Sequence, residues 1–125
     1  MVLSKSTLEF YKAIINNNTT SISFANKNSI NFLNSINKRT LKTNTFIYCD
    51  PPYLKTRGYR NSPKWTQDDL NKLINKLLEL KVKFAISEFE KNTLDISEKY
   101  NLNRHIIKEQ RNLNDRQTEV ILTNY

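Results

Sequence analysis

The chain has 125 residues, 38% of them hydrophobic, and its 20 Lys and Arg against 12 acids leave a net charge of +8. That length carries one domain with a lean core and excludes two, while the charge excludes an acidic solvating tail and favours a polyanionic partner, nucleic acid first. The single glycine excludes a Gly-rich phosphate or dinucleotide loop, and the single cysteine, Cys49, excludes an internal disulfide and points to an intracellular protein. No apolar run approaches a membrane span, and Met1-Val2-Leu3-Ser4-Lys5 lacks a signal-peptide core, so a cytoplasmic chain with no membrane partner is expected. Asn and Lys are abundant in stretches such as Asn16-Asn17-Asn18 and Asn26-Lys27-Asn28, so part of the positive charge is read as base-composition background.

In chain order, Leu8, Tyr11, Ile14 and Ile15 share one helical face, which predicts a helix from Ser6 or Thr7 to Ile15 that the Asn run ends. A short strand is expected from Ile22 to Phe24. Asn28 is a side-chain cap for a second helix, with Ile30, Leu33 and Ile36 or Asn37 on successive turns. Phe46-Ile47-Tyr48-Cys49 is an apolar and aromatic run closed by Asp50-Pro51-Pro52, the pattern of a buried parallel strand. A polar loop from Leu54 to Lys64 follows. Thr66 then caps an amphipathic helix with Asp68 and Asp69 in its first turn and an apolar side of Leu70, Leu73, Ile74, Leu77, Leu78 and Leu80. That leucine set spans too few heptads for a zipper and is read as core. Lys83 to Ser87 is the next strand, and Thr93 to Tyr100 a short helix. His105-Ile106-Ile107 and Val120-Ile121-Leu122-Thr123 are two last strands, joined by a polar loop and close enough to pair antiparallel. The alternation of helices with buried strands predicts an α/β layered domain with a mostly parallel sheet, whose crevice lies beyond the carboxyl ends of its strands.

Asp50 stands at such an end. Pro51 and Pro52 fix two consecutive φ angles and remove two backbone donors, which makes a stiff corner. It holds the Asp50 carboxylate and the Pro51 carbonyl as acceptors on one side, with the Tyr53 ring as a flat wall beside them. Two acceptors next to an aromatic face suit a planar ring that bears an exocyclic amino group. A chance Asp-Pro-Pro-Tyr occurs on the order of once in several hundred thousand positions, so an incidental turn is the weaker reading.

Phe46 to Tyr53 resembles the catalytic motif of the Dam-type DNA N6-adenine methyltransferases, which carry methyl from S-adenosylmethionine to the amino group of adenine in duplex DNA. Other segments are similar in order and spacing. Ile22-Ser23-Phe24 with Asn28 resembles the strand and turn that carry an acid near the cofactor. Residues 65–80 resemble the helix after the catalytic loop, and Phe84-Ala85-Ile86-Ser87 a strand that often runs into Ser-Asn. Arg111 to Arg116 with Glu119-Val120-Ile121-Leu122-Thr123-Asn124-Tyr125 resembles the family's C-terminal hairpin. The resemblance covers residues 20–125, with 1–18 as a helix left from a recognition or linker segment.

It implies a partial Rossmann-like methyltransferase fold, mostly parallel with a C-terminal antiparallel hairpin. The family's sheet has strand order 3-2-1-4-5-7-6, of which the first two strands are expected to be lacking. It also implies that Asp50, Pro51, Pro52 and Tyr53 are catalytic and that Asn28 and Asp50 contact S-adenosylmethionine. The family's aromatic-x-Gly-x-Gly cofactor loop has no counterpart here, since the only glycine, Gly58, follows the tetrad. The chain is therefore expected to be the C-terminal half of a split enzyme, a truncated gene product or a fragment of a longer reading frame. Double-stranded DNA is the expected partner, joined in the split case by a separate N-terminal methyltransferase fragment, with no metal. A non-catalytic basic DNA-binding remnant, or an amino-methyltransferase acting on RNA or a protein amide, is the alternative.

Among other residues, Lys55, Arg57, Arg60 and Lys64 in the loop, and Arg111 and Arg116 in the hairpin loop, are candidates for DNA phosphate contacts. His105 has no Cys or acid at ligand spacing and is read as a strand residue. Cys49 is read as a small core residue, Trp65 as packing beside a helix start, and Glu88 as a surface carboxylate.

Overall fold

The computed structural model describes residues 25–41, 44–56, 63–112 and 115–125. The helix expected at residues 6–15 and the strand expected at 22–24 lie outside them, as do Arg57 and Arg60.

Helix α1, Ser29–Ser35, starts where the sequence puts a cap: the Asn28 side chain accepts from the amides of Ile30 and Asn31. Strand β1 is Phe46–Cys49. Helix α2, Gln67–Leu80, opens on a complete capping box in which the Thr66 hydroxyl receives the Asp69 amide and the Asp69 carboxylate receives the Thr66 amide. Its buried stripe is Leu70, Leu73, Ile74, Leu77 and Leu80. Leu78 belongs to the exposed side instead, because it follows Leu77 by about 100° around the helix and so turns off the stripe. Strand β2, Lys83–Phe89, helix α3, Leu94–Tyr100, strand β3, Asn103–Asn112, and strand β4, Asp115–Thr123, complete the described chain.

The four strands form one mixed sheet in the order β1-β2-β4-β3. The β1-α2-β2 unit makes the parallel pair, with Phe46 opposite Lys83 and Cys49 opposite Ile86. β4 lies antiparallel to both β2 and β3. The described sheet is thus less parallel than the sequence pattern suggests. β2 and β3, joined through α3, run the same way but are not neighbours, because β4 turns back from β3 and inserts between them.

The hairpin also reaches further than its apolar residues. Pairing continues through polar positions to Asn112 opposite Asp115, because a ladder needs backbone groups rather than apolar side chains. Arg111 and Arg116, expected in a loop, consequently occupy facing register positions in β3 and β4.

Strand alternation sorts the sheet into two faces. Phe84, Ile86, Val120 and Leu122 are buried against the α2 stripe together with Leu33 of α1 and Ile96 of α3, and Ile47 and Cys49 pack at the border of that core. Tyr48, Ser87, Phe89 and Glu119 fall on the opposite face. β1 is not the fully buried strand its apolar run predicts: Phe46 and Tyr48 are 51% and 55% exposed. Only the Ile47 and Cys49 side of the strand meets the helices.

Candidate functional site

The Asp50-Pro51-Pro52-Tyr53 segment leaves the carboxyl end of β1, one strand away from the carboxyl half of β2. Asp50 is exposed and the next three residues are half-buried, so the carboxylate is open to a ligand rather than packed inside the core. The segment closes in a tight turn. The amide and hydroxyl of Thr56 both donate to the Tyr53 carbonyl, at 3.3 and 2.6 Å, and Lys55 takes the left-handed conformation with φ 62°. For a residue with a Cβ that conformation costs about 1 kcal/mol, so the turn is maintained by its surroundings.

Those surroundings centre on Glu88, which is fully buried. The sequence reading as a surface acid is corrected by this position: Glu88 has the parity of Phe84 and Ile86 and faces the core. Its two oxygens accept the Leu54 amide at 3.3 and 3.0 Å, and one also accepts the Phe89 amide at 2.8 Å. The Asn92 side-chain amide donates both to Glu88, at 3.1 Å, and to the Leu54 carbonyl, at 3.3 Å. The backbone of Leu54 is therefore gripped at both of its polar groups.

A cleft of about 550 Å3 opens beside the corner, within the range of small-molecule sites. Asp50, Pro51 and Pro52 border it, with Phe32 and Trp65 as aromatic walls and Lys27 on its rim. Trp65 combines the packing role read from sequence with a place in this cleft, and its buried indole N–H has no hydrogen-bond partner among the described residues. Asn28 does not line the cleft. Its side-chain oxygen is engaged in capping α1, while its neighbours Lys27 and Ser29 do line it.

Tyr53 lies on another side of Asp50 and is not part of the cleft wall. Its ring meets Phe89 edge-on with centroids 4.5 Å apart, and its hydroxyl donates to Glu119 at 3.3 Å. Burial, followed by the negative charges of Glu119 and Asp50, pushes this phenol up to about 12. Tyr53 thus remains a neutral donor at physiological pH. Alongside it, Tyr48 and Ser87 share a 2.7 Å hydrogen bond. Cys49, just before the corner, is pushed up to about 11 by burial, which keeps it an unreactive thiol.

Lys55 and Lys64 are exposed. Lys55 borders a second groove of about 440 Å3 together with Lys91 and Lys99, two cations that sequence reasoning did not single out. His105 lies in β3 and pairs with the Thr123 hydroxyl at 3.0 Å. Among the described residues there is no cluster of metal-ligating side chains, and no helix is long and apolar enough to cross a membrane.

The residues missed in the sequence are those whose role comes from pairing across elements: Glu88, Asn92, Phe89 and Tyr48. Glu88 alone carried a local signal, an acid embedded in the otherwise uncharged run Phe84-Ala85-Ile86-Ser87 and Phe89. Comparison of the chain with protein-family models and with curated proteins finds no match.

Proposed function

We propose that this chain is the catalytic, C-terminal part of a DNA N6-adenine methyltransferase of the Dam type, completed by a separate fragment that carries the cofactor loop. The observation that carries the reading is an exposed carboxylate on a double-proline corner at the end of a parallel strand, with a ligand-sized cleft on one side and an aromatic ring on the other. The strand order supports it: numbered as strands 4, 5, 7 and 6, β1-β2-β4-β3 has the sequence of neighbours that the resemblance implies.

In this reading the cofactor belongs to the cleft beside Asp50. Phe32 and Trp65 offer flat walls to it, and the unpaired Trp65 N–H suits a ligand acceptor. S-adenosylmethionine supplies an electrophilic methyl group when bound there. The target base belongs to the Tyr53 side and has to leave its duplex stack first. Tyr53, oriented by Phe89 and Glu119, receives the ring of the base. Asp50 and the Pro51 carbonyl accept hydrogen bonds from its two amino N–H groups. That draws the nitrogen lone pair out of conjugation and makes the nitrogen a nucleophile. The Asp50 charge then stabilises the positive charge that grows on nitrogen, and the fixed corner does so without reorganising. Lys55 and Lys64 contribute positive charge for DNA phosphates, as do Arg57, Arg60, Arg111 and Arg116 by their place in the chain.

The test is methylation of duplex DNA by the full chain, with S-adenosylmethionine and an added methyltransferase fragment that carries an aromatic-x-Gly-x-Gly loop. N6-methyladenine is expected with the unaltered chain. Asp50→Ala should lower the rate about 100- to 1,000-fold, the usual loss for one preorganised polar group at a reacting centre. Equal rates with and without the carboxylate would refute the assignment.

A further inference from the structure

Glu88 is an acid that no step above uses, and its position is hard to explain by stability alone. A buried carboxylate loses its hydration, and an apolar side chain of similar volume packs in such a place at lower cost. No ion pair compensates Glu88 among the described residues. Its compensation is instead N–H groups from the Leu54 backbone, the Phe89 backbone and the Asn92 side chain. Asn92 is committed to the same task. Its NH2 group serves Glu88 and the Leu54 carbonyl, while its own oxygen is buried with no partner among the described residues. Turning the amide over would face an oxygen to two acceptors, so the Glu88–Leu54 arrangement dictates the orientation that leaves Asn92 unsatisfied.

We propose that Glu88 is the positioning residue of the Asp50–Tyr53 corner. The corner is a short span held at two ends. At one end Cys49 is fixed in the β1 ladder opposite Ile86. At the other, Leu54 is fixed by Glu88 and Asn92. Between them the two prolines remove two of the rotations through which the span could relax. With both ends held, the backbone that carries Asp50 has little room to shift, and the left-handed Lys55 turn beyond it is held closed. A carboxylate suits the task because its two oxygens can receive the Leu54 amide while one still serves Phe89 and Asn92. What the fixed corner accomplishes rests on the adenine-methylating reading; what fixes it does not.

The experiment follows single amides by hydrogen exchange in the 15N-labelled full chain, comparing the unaltered protein with Glu88→Gln and Glu88→Ala. The Leu54 amide should be protected in the unaltered chain and exchange at least about tenfold faster in Glu88→Ala, the change expected when a hydrogen bond to a charged group is lost. The amide of Leu122 in β4 serves as the internal reference and should keep its rate. Glu88→Gln, which retains one acceptor oxygen, should fall between the two. If Glu88→Ala loosens Leu122 as well, Glu88→Gln decides alone. A Leu54 amide unprotected in the unaltered chain, or unaffected by the replacements, overturns the proposal.

In the methylation assay, Glu88→Ala should reduce kcat at least about tenfold with KM for DNA within about twofold, since a displaced corner weakens the reacting geometry more than substrate capture. Lost Leu54 protection with an unchanged kcat also overturns the positioning role. If the unaltered chain transfers no methyl at all, the adenine reading fails, while the Leu54 exchange still decides what Glu88 holds.

Discussion

Cys49 and Tyr53 flank the two prolines, and burial acts on both in the same direction. The thiol is pushed up to about 11 and the phenol to about 12, from ordinary values of 9.0 and 10.0. In each case the fold favours the protonated form. The stability this contributes is complete below pH 9 for Cys49 and below pH 10 for Tyr53, and it is lost as pH rises through about 11 and about 12. The urea midpoint of the chain should therefore fall from pH 9 upward, and Tyr53→Phe should lessen the part of the fall above pH 10. Cys49 offers a direct reading of the same effect. Its alkylation rate should rise with pH toward a midpoint near 11 in the folded chain and near 9 in urea. A common midpoint in both states would place the thiol in water. At this scale the sequence was legible where a residue acts on its own neighbours, as Asn28 and Thr66 do in capping. It was illegible for Glu88, whose partner Leu54 lies 34 residues away in the chain.

Helix α2 is the element with the most local information. Its cap, its acidic first turn and its leucine spacing all point the same way, and the structure follows them from Thr66 onward. Thr66→Ala removes the hydroxyl that receives the Asp69 amide and should cost about 1 kcal/mol, measured by chemical denaturation. Leu77→Ala, on the fully buried stripe, should cost more, about 2–5 kcal/mol, because the cavity term adds to the lost transfer energy. A larger loss at Thr66 than at Leu77 would mean that the helix depends on its end rather than on its packed face. Strands were less legible than this helix. The Phe46–Cys49 run looks uniformly apolar, yet neighbours decide which side is covered, and only Ile47 and Cys49 meet the core. The polar halves of β3 and β4 gave no apolar signal at all, since their pairing is carried by the backbone.

At the scale of the whole molecule, neither periodicity nor composition indicates that β4 inserts between β2 and β3. That order depends on the backbone ladder between β2 and β4, whose partners are far apart in the chain and leave no local pattern. The insertion matters to the site, because it brings Glu119 of β4 to the Tyr53 hydroxyl. The cleft on the other side of Asp50 has aromatic walls and one carboxylate, and the chain's single glycine excludes a Gly-rich loop to complete it. The two sides of Asp50 thus differ: one carries Tyr53 with its Phe89 and Glu119 contacts, the other a cleft lined by the corner itself together with Lys27, Phe32 and Trp65. Titration calorimetry of the 125-residue chain with S-adenosylmethionine should accordingly detect no micromolar binding, a level that requires about 8 kcal/mol of net interaction. Adding the fragment with the missing loop should bring the affinity into that range, and Asp50→Ala should weaken it only in the completed pair. Micromolar binding by the chain alone would show that its own cleft suffices, and would remove the need for a second polypeptide.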